Sequence, residues 1–168
     1  MKKIFYSMFV AVIMITACQP KTETVSVNQV AEKDSIAKNL DAMYSAYTVK
    51  DINTILSLLT DDCLYCGTDP GEFWNKEAYA TLLKNMAADS SYVPPAFELS
   101  KREIRLDKSG NSAIVVDQLL VTRWTNKIPL RNVTHHVKMD NKWMLDFVSM
   151  SFVPNNGDLE KIFHSVAE

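Results

Sequence analysis

Residues 63–79 read Cys-Leu-Tyr-Cys-Gly-Thr-Asp-Pro-Gly-Glu-Phe-Trp-Asn-Lys-Glu-Ala-Tyr. The run from Cys63 to Cys66 is a short apolar strand, and Gly67 followed by Asp69-Pro70-Gly71 supplies a turn. Asn75 suits a helix N-cap, because its side-chain oxygen can accept a free N–H of the first helical turn. With Asn75 as the cap, Trp74 stands at N′ and Tyr79 at N4, the two positions that a hydrophobic staple joins. One stretch therefore predicts a strand, a turn and an anchored helix.

Upstream of it the apolar residues recur at helical spacing. Ile36, Leu40, Met43, Tyr44 and Tyr47 form one stripe in a helix spanning roughly 30–50. Asp51 can cap a second, shorter helix carrying Ile52, Ile55, Leu56 and Leu59, which ends near Thr60. In the stapled helix Tyr79, Leu82, Leu83 and Met86 share a face, and Pro94-Pro95 stops any continuation.

Downstream the period changes from 3.6 to 2. Phe97 and Leu99 alternate in one phase and Ile104 and Leu106 in the other, so a β-bulge is expected around Lys101-Arg102. Ser109-Gly110-Asn111 turns the chain into a strand over 112–125. Asn126-Lys127 and Asp140-Asn141 are read as two-residue loops, giving further strands over 128–139 and 142–153. Leu159, Ile162, Phe163 and Val166 mark a final short amphipathic helix. Helices first and an antiparallel meander afterwards argue an α+β fold.

The N-terminus carries an address. Met1-Lys2-Lys3 and the apolar run from Ile4 to Ile15 have the charged and hydrophobic regions of a secretory signal, too short for a permanent span. Ile15-Thr16-Ala17-Cys18 resembles a bacterial lipobox, which implies lipidation of Cys18 after removal of residues 1–17. Residues 18–29 then form the lipidated cysteine and a flexible tether, and 30–168 the folded domain. The expected location is the cell envelope, on the periplasmic or cell-surface side, with membrane contact by lipid anchor only. The formal charge is −2, and it becomes more acidic once Lys2 and Lys3 are removed. With no basic stripe, nucleic acid is not an expected partner.

The run Tyr65-x-Gly67-Thr68-Asp69-Pro70-x-Glu72-x-Trp74, after Asp61-Asp62, resembles the SnoaL-like branch of the nuclear transport factor 2-like superfamily. The resemblance covers roughly residues 36–152 and includes the segment from Trp143 to Ser151. It implies a cone: a strongly curved antiparallel sheet wrapped around N-terminal helices, with a ligand pocket inside. Where the family tends to show a His followed two residues later by Ser, this chain has Ser149, which weakens any activity that depends on that His.

Several residue patterns invite chemistry. The CxxC spacing of Cys63 and Cys66 suits a metal or a disulfide on a helix or turn, but on a strand the two side chains point to opposite faces. They read as apolar-behaving thiols, and adjacent His135 and His136 fail as a metal pair for a similar reason. No metal and no cofactor are expected.

Asp117 lies mid-strand among apolar neighbours of both phases, where an unpaired carboxylate is costly to bury. A two-residue loop at Asn126-Lys127 sets Asp117 opposite His136. A two-residue loop at Asp140-Asn141 then sets His136 opposite Leu145, Thr134 opposite Phe147 and Asn132 opposite Ser149. One sheet face thereby gathers Asp117, His136, Thr134, Asn132, Ser149 and Trp143 as a polar cluster in an aromatic wall. Asp117 and His136 are the candidate catalytic pair; the alternative is that Asp117 pairs with a neighbouring Arg or His to hold the sheet, or faces solvent. Tyr65, Trp74, Asn132, Thr134, Trp143, Phe147 and Ser149 are the candidate ligand-binding residues. One extra residue in either loop would instead bring His135 into the pocket.

Three functions stay open. A lipoprotein that binds a small, largely apolar molecule comes first. An enzyme using Asp117 for general acid/base chemistry of isomerase, cyclase or hydratase type comes second, as the resemblance allows. A dimeric interaction module is third, since Val116, Leu120, Trp124, Val133, Val137, Val148 and Met150 are expected on an apolar outer face suited to a homodimer.

Overall fold

A computed structural model describes residues 28–125 and 127–166, so the signal, Cys18 and most of the tether lie outside the described residues. Helix α1 spans Gln29–Thr48 and buries Ile36, Leu40, Met43, Tyr44 and Ala46. Helix α2 (Ile52–Ser57) is capped by Asp51, whose carboxylate accepts the Thr54 N–H at 3.1 Å. Strand β1 (Leu59–Cys66) starts earlier than the sequence pattern suggests, taking in Asp61 and Asp62 as exposed positions.

The turn after β1 leads into a short strand that the sequence reading did not anticipate, β2 (Phe73–Asn75), paired antiparallel to β1. Asn75 caps α3 (Lys76–Ala88) by accepting the Ala78 N–H at 2.8 Å, and the Trp74 and Tyr79 rings lie 5.9 Å apart as a staple requires. Four long strands follow: β3 (Glu98–Leu106), β4 (Ser112–Leu120), β5 (Leu130–Met139) and β6 (Lys142–Phe152). They join β1 and β2 in one curved sheet of order β2-β1-β6-β5-β4-β3. The β1–β6 pairing is parallel, the chain between them running through β2, α3 and strands β3 to β5. A 3₁₀ turn (Asn156–Asp158) introduces α4 (Leu159–Val166), which buries no residue.

The bulge in β3 falls at Ser100, between Leu99 and Lys101, and reconciles the two apolar phases. Asp140 and Asn141 both take positive φ, the conformation of a two-residue hairpin turn, and pair Met139 with Lys142.

The other hairpin differs from the expected one. Residues 121–129 form a wide connection in which the Thr125 hydroxyl oxygen accepts the Lys127 and Ile128 N–H groups; Asn126 lies outside the described residues. Pro129 has no N–H to give a ladder and presents its carbonyl to Val153 instead. Pairing therefore resumes only at Leu130, and Asp117 stands opposite Asn132, with His136 opposite Ala113. The slip is an even number of residues, so inward side chains stay inward: Asp117, Asn132, Thr134 and His136 are all buried and His135 faces out.

A second correction concerns β6. A bulge at Asp146 shifts the register after Leu145, so that Thr134 pairs with Val148 and Asn132 with Met150. One extra residue exchanges the faces from there on. Phe147 and Ser149, expected in the pocket, pair with His135 and Val133 on the outer face; Val148, expected outside, is fully buried.

Candidate functional site: an aromatic pocket beside a closed polar network

The residues predicted to form one site are divided between two interior regions, with Phe147 and Ser149 left on the outer face. The first is a buried network under α1. Arg102 grips Asp117 with two parallel bonds, Nε to Oδ1 and a terminal nitrogen to Oδ2, both 2.8 Å. The Tyr44 hydroxyl donates to Asp117 Oδ2 at 2.8 Å and accepts from the Asn132 amide at 2.9 Å. Arg102 uses its remaining nitrogen on the Ala37 carbonyl and Asp41. The network links α1 to β3, β4 and β5, and three donors already occupy the Asp117 carboxylate. A general base needs a lone pair directed at substrate, and here the lone pairs are directed at Arg102 and Tyr44.

His136 is fully buried and shares a 2.9 Å hydrogen bond between Nε2 and the Thr134 hydroxyl. Burial pushes its pKa down to about 3, with the charges of His135 and Arg102 acting the same way, so the ring is neutral. Its Nδ1 has no partner among the described residues. Trp143 lies near the start of α1, where its indole N–H donates to Glu32 at 2.8 Å beside the Lys138–Glu32 ion pair. Of the predicted site residues, Asp117, His136, Asn132, Thr134 and Trp143 thus belong to the interior under α1.

The second region is a pocket of about 310 Å³ at the β1–α3 end. Of the other four predicted ligand-binding residues, Tyr65 and Trp74 are in its wall and Phe147 and Ser149 are not; Gly67, Thr68 and Glu72 of the same turn also line it. The stretch that decides the fold also builds the pocket. Helix α3 adds Tyr79, Leu82, Leu83 and Met86; the connection to β3 adds Tyr92, Pro95 and Phe97. Tyr47 comes from α1, Met150 from β6 and Trp124 from the 121–129 connection.

The sequence reading placed Trp124 and Met150 outside. The widened connection and the Asp146 bulge are what turn them in, and neither has a composition signature short of Pro129.

Aromatic rings dominate the wall. Tyr65 and Tyr79 stack at 3.9 Å, Trp74 stands 6.1 Å from Tyr65, and Phe97 lies 5.8 Å from Tyr47. The Tyr47 hydroxyl bonds to that of Tyr79 and donates to that of Tyr65 at 3.4 Å. Burial raises the pKa of all three, so the phenols stay neutral at physiological pH and remain donors. Such a wall offers broad apolar faces with a small polar centre, the usual make-up of a small-molecule site.

Two further groups of reactive residue types carry no site. Cys63 is buried and its thiol pKa is pushed up to about 12 by burial; Cys63 and Cys66 are both free, as strand geometry requires. On the outer face His135 joins Asp146 through Nδ1 at 2.6 Å and Ser112 through Nε2 at 2.8 Å, the bonding order of a hydrolase triad. The neighbouring Asn111 and Ser112 N–H groups, which could have stabilised an oxyanion, are bound to Asp107 Oδ1. The arrangement is a brace across β4, β5 and β6. Among the described residues, no cluster of His, Cys, Asp and Glu could hold a metal.

Comparison with known proteins agrees with this architecture. Solved structures with similar folds include a nuclear transport factor 2-like protein of unknown function from Pseudomonas putida, at 17% identity and a TM-score of 0.59, covering 73% of this chain and 87% of that one. Another nuclear transport factor 2-like protein, from Cytophaga hutchinsonii, gives 18% identity and a TM-score of 0.57 over 72% and 98% of the two chains. A cystatin-like fold protein from Burkholderia xenovorans gives 14% and 0.62 over 76% and 96%. At these identities the likeness is one of fold. No protein of curated function matches the chain. The family model described as SnoaL-like domain matches residues 36–155, and the chain belongs to that family, with a nuclear transport factor 2-like fold.

Proposed function

We propose that the protein binds a small, largely apolar, ring-containing molecule in the pocket between β1, α3 and the 121–129 connection. The observation that carries this reading is the wall itself: stacked and tilted aromatic rings around a cavity of about 310 Å³, with neutral tyrosine hydroxyls at one point. Aromatic walls of this kind gain affinity from buried area and give orientation through a few hydrogen bonds. The binding reading has the support of geometry, whereas the Asp117 carboxylate is already saturated by Arg102 and Tyr44.

The same proposal includes lipid anchoring at Cys18, for which the lipobox-like Ile15-Thr16-Ala17-Cys18 is the support, and which would hold the pocket at the cell envelope. It also includes a homodimer through the outer sheet face, where Ile114 is 47% exposed beside Val116 and Val133. Native mass spectrometry of protein purified from its own cell envelope tests the binding reading. A bound small molecule on the wild type, absent from Trp74→Ala, supports it. Empty wild-type protein that also fails to take up apolar probes contradicts it.

A further inference from the structure

Glu72 is the one charged residue among the described residues of the pocket wall. Its side chain is held in place: Oε2 accepts the Asp69 N–H at 3.0 Å, and the chain lies directly across Gly67. A Cβ at position 67 would sit 2.0 Å from Glu72 Oε2 and 2.9 Å from Glu72 Cβ, so any larger residue would expel the carboxylate from this position. Gly67 does not have positive φ, so the glycine is needed for space. The Gly67 N–H and the Glu72 carbonyl close the same loop at 2.9 Å. The other carboxylate oxygen, Oε1, makes no hydrogen bond among the described residues.

From this geometry we infer that the pocket selects ligands carrying an amine, with the ammonium set between the Glu72 carboxylate and the faces of the aromatic wall. The inference rests on the pocket reading above and adds its charge class. Two physical terms point the same way. Ring faces are electron-rich and attract cations, Trp most strongly, and Trp74 and Trp124 are both in the wall. One of the lining rings already has such a partner, because Lys50 Nζ lies 5.4 Å from the Tyr92 ring centroid. A carboxylate in a wall free of basic residues also repels an anionic ligand; Lys50 sits over the Tyr92 ring and the Arg123 charge acts on Tyr92, but neither residue lines the pocket. The tyrosine hydroxyls, kept neutral, can add a hydrogen bond to a polar substituent without opposing the cation.

Three probes with one apolar body test this: adamantylmethylamine, adamantylmethanol and adamantanecarboxylate, which are cationic, neutral and anionic at neutral pH. They are optically silent, so quenching or shift of intrinsic tryptophan emission of the full chain reports binding. The expected order is amine over alcohol by about tenfold, and alcohol over carboxylate. Glu72→Gln keeps an acceptor for the Asp69 N–H and should bring amine and alcohol to within about threefold, chiefly by weakening the amine. Gly67→Ala, which displaces Glu72 without altering its charge, should do the same. Equal binding of amine and alcohol by the wild type, or a preference that survives both substitutions, overturns the charge inference and leaves the pocket reading standing. If none of the three binds, the pocket reading fails and the inference fails with it.

Discussion

Two polar regions lie within one fold, one closed over a buried charge and the other open to a cavity. Under α1, both oxygens of Asp117 and all three guanidinium nitrogens of Arg102 find partners within the protein, whereas Asn132 Oδ1 and His136 Nδ1 have none among the described residues. At the β1–α3 end the hydroxyls of Tyr47, Tyr65 and Tyr79 meet beside open space, and Glu72 keeps an oxygen free. A charge closed over by its partners specifies a packing arrangement, and polar groups that border a cavity are accessible to something else. Burial of a charge by itself does not separate the two, since Asp117 is the more deeply buried carboxylate.

Arg102 is where the two regions should differ most. Replacing it with Ala leaves Asp117 buried without its cation, and removal of one member of such a pair costs about 3–5 kcal/mol. Urea unfolding should show that loss, and Arg102→Met combined with Asp117→Asn should recover part of it. Probe binding by the folded fraction should be unaffected, because neither residue lines the pocket.

The pH dependence comes next. His136 has a folded pKa of about 3 against 6.5 for the free side chain, so between these values the unfolded chain holds a proton that the folded chain lacks. Its contribution is complete above pH 6.5 and is lost as pH falls toward 3, at up to about 1.4 kcal/mol per pH unit. A His136→Phe variant should show a shallower decline in unfolding free energy over that window. A decline as steep as that of the wild type would assign the acid sensitivity to other groups.

Tyr44→Phe should cost about 1–3 kcal/mol, since it removes a donor from Asp117 and strands the Asn132 amide. The smallest stability effect belongs to the pocket. Tyr79→Phe deletes one hydroxyl of the tyrosine cluster beside the cavity and should change stability by less than about 1 kcal/mol while changing probe affinity. If Tyr79→Phe proves the more damaging to stability, the distinction between the two regions is wrong.

Much of this was legible in the sequence, for reasons that identify what was not. The Asn75 cap, the Trp74–Tyr79 staple, the bulge at Ser100 and the Asp140-Asn141 turn each rest on local chemistry, and local chemistry is what neighbouring residues encode. The face of each inward residue on β4 and β5 also survived an incorrect loop length, because a slip by an even number preserves alternation. The partners did not survive. Whether Asp117 meets His136 or Asn132 depends on where pairing resumes after the 121–129 connection, and Pro129 was the one available sign. The Asp146 bulge has no sign in the chain at all, and it removed Phe147 and Ser149 from the inner face while bringing in Val148 and Met150. That an Arg could pair with Asp117 is legible as an alternative, but which Arg is not, because Arg102 is fifteen residues away on the next strand and only the register brings it opposite.

The three tryptophans of the chain make the central claim directly measurable, because two line the pocket and the third belongs to the interior near Glu32. In a ¹⁵N-correlated NMR spectrum each indole N–H gives its own signal, and titration with adamantylmethanol reads all three at once. The Trp74 and Trp124 signals should move with a common saturation curve while Trp143, fixed to Glu32, stays in place. Movement of Trp143 with Trp74 and Trp124 unmoved would put the ligand under α1, among Asp117, His136 and Thr134, and contradict the claim.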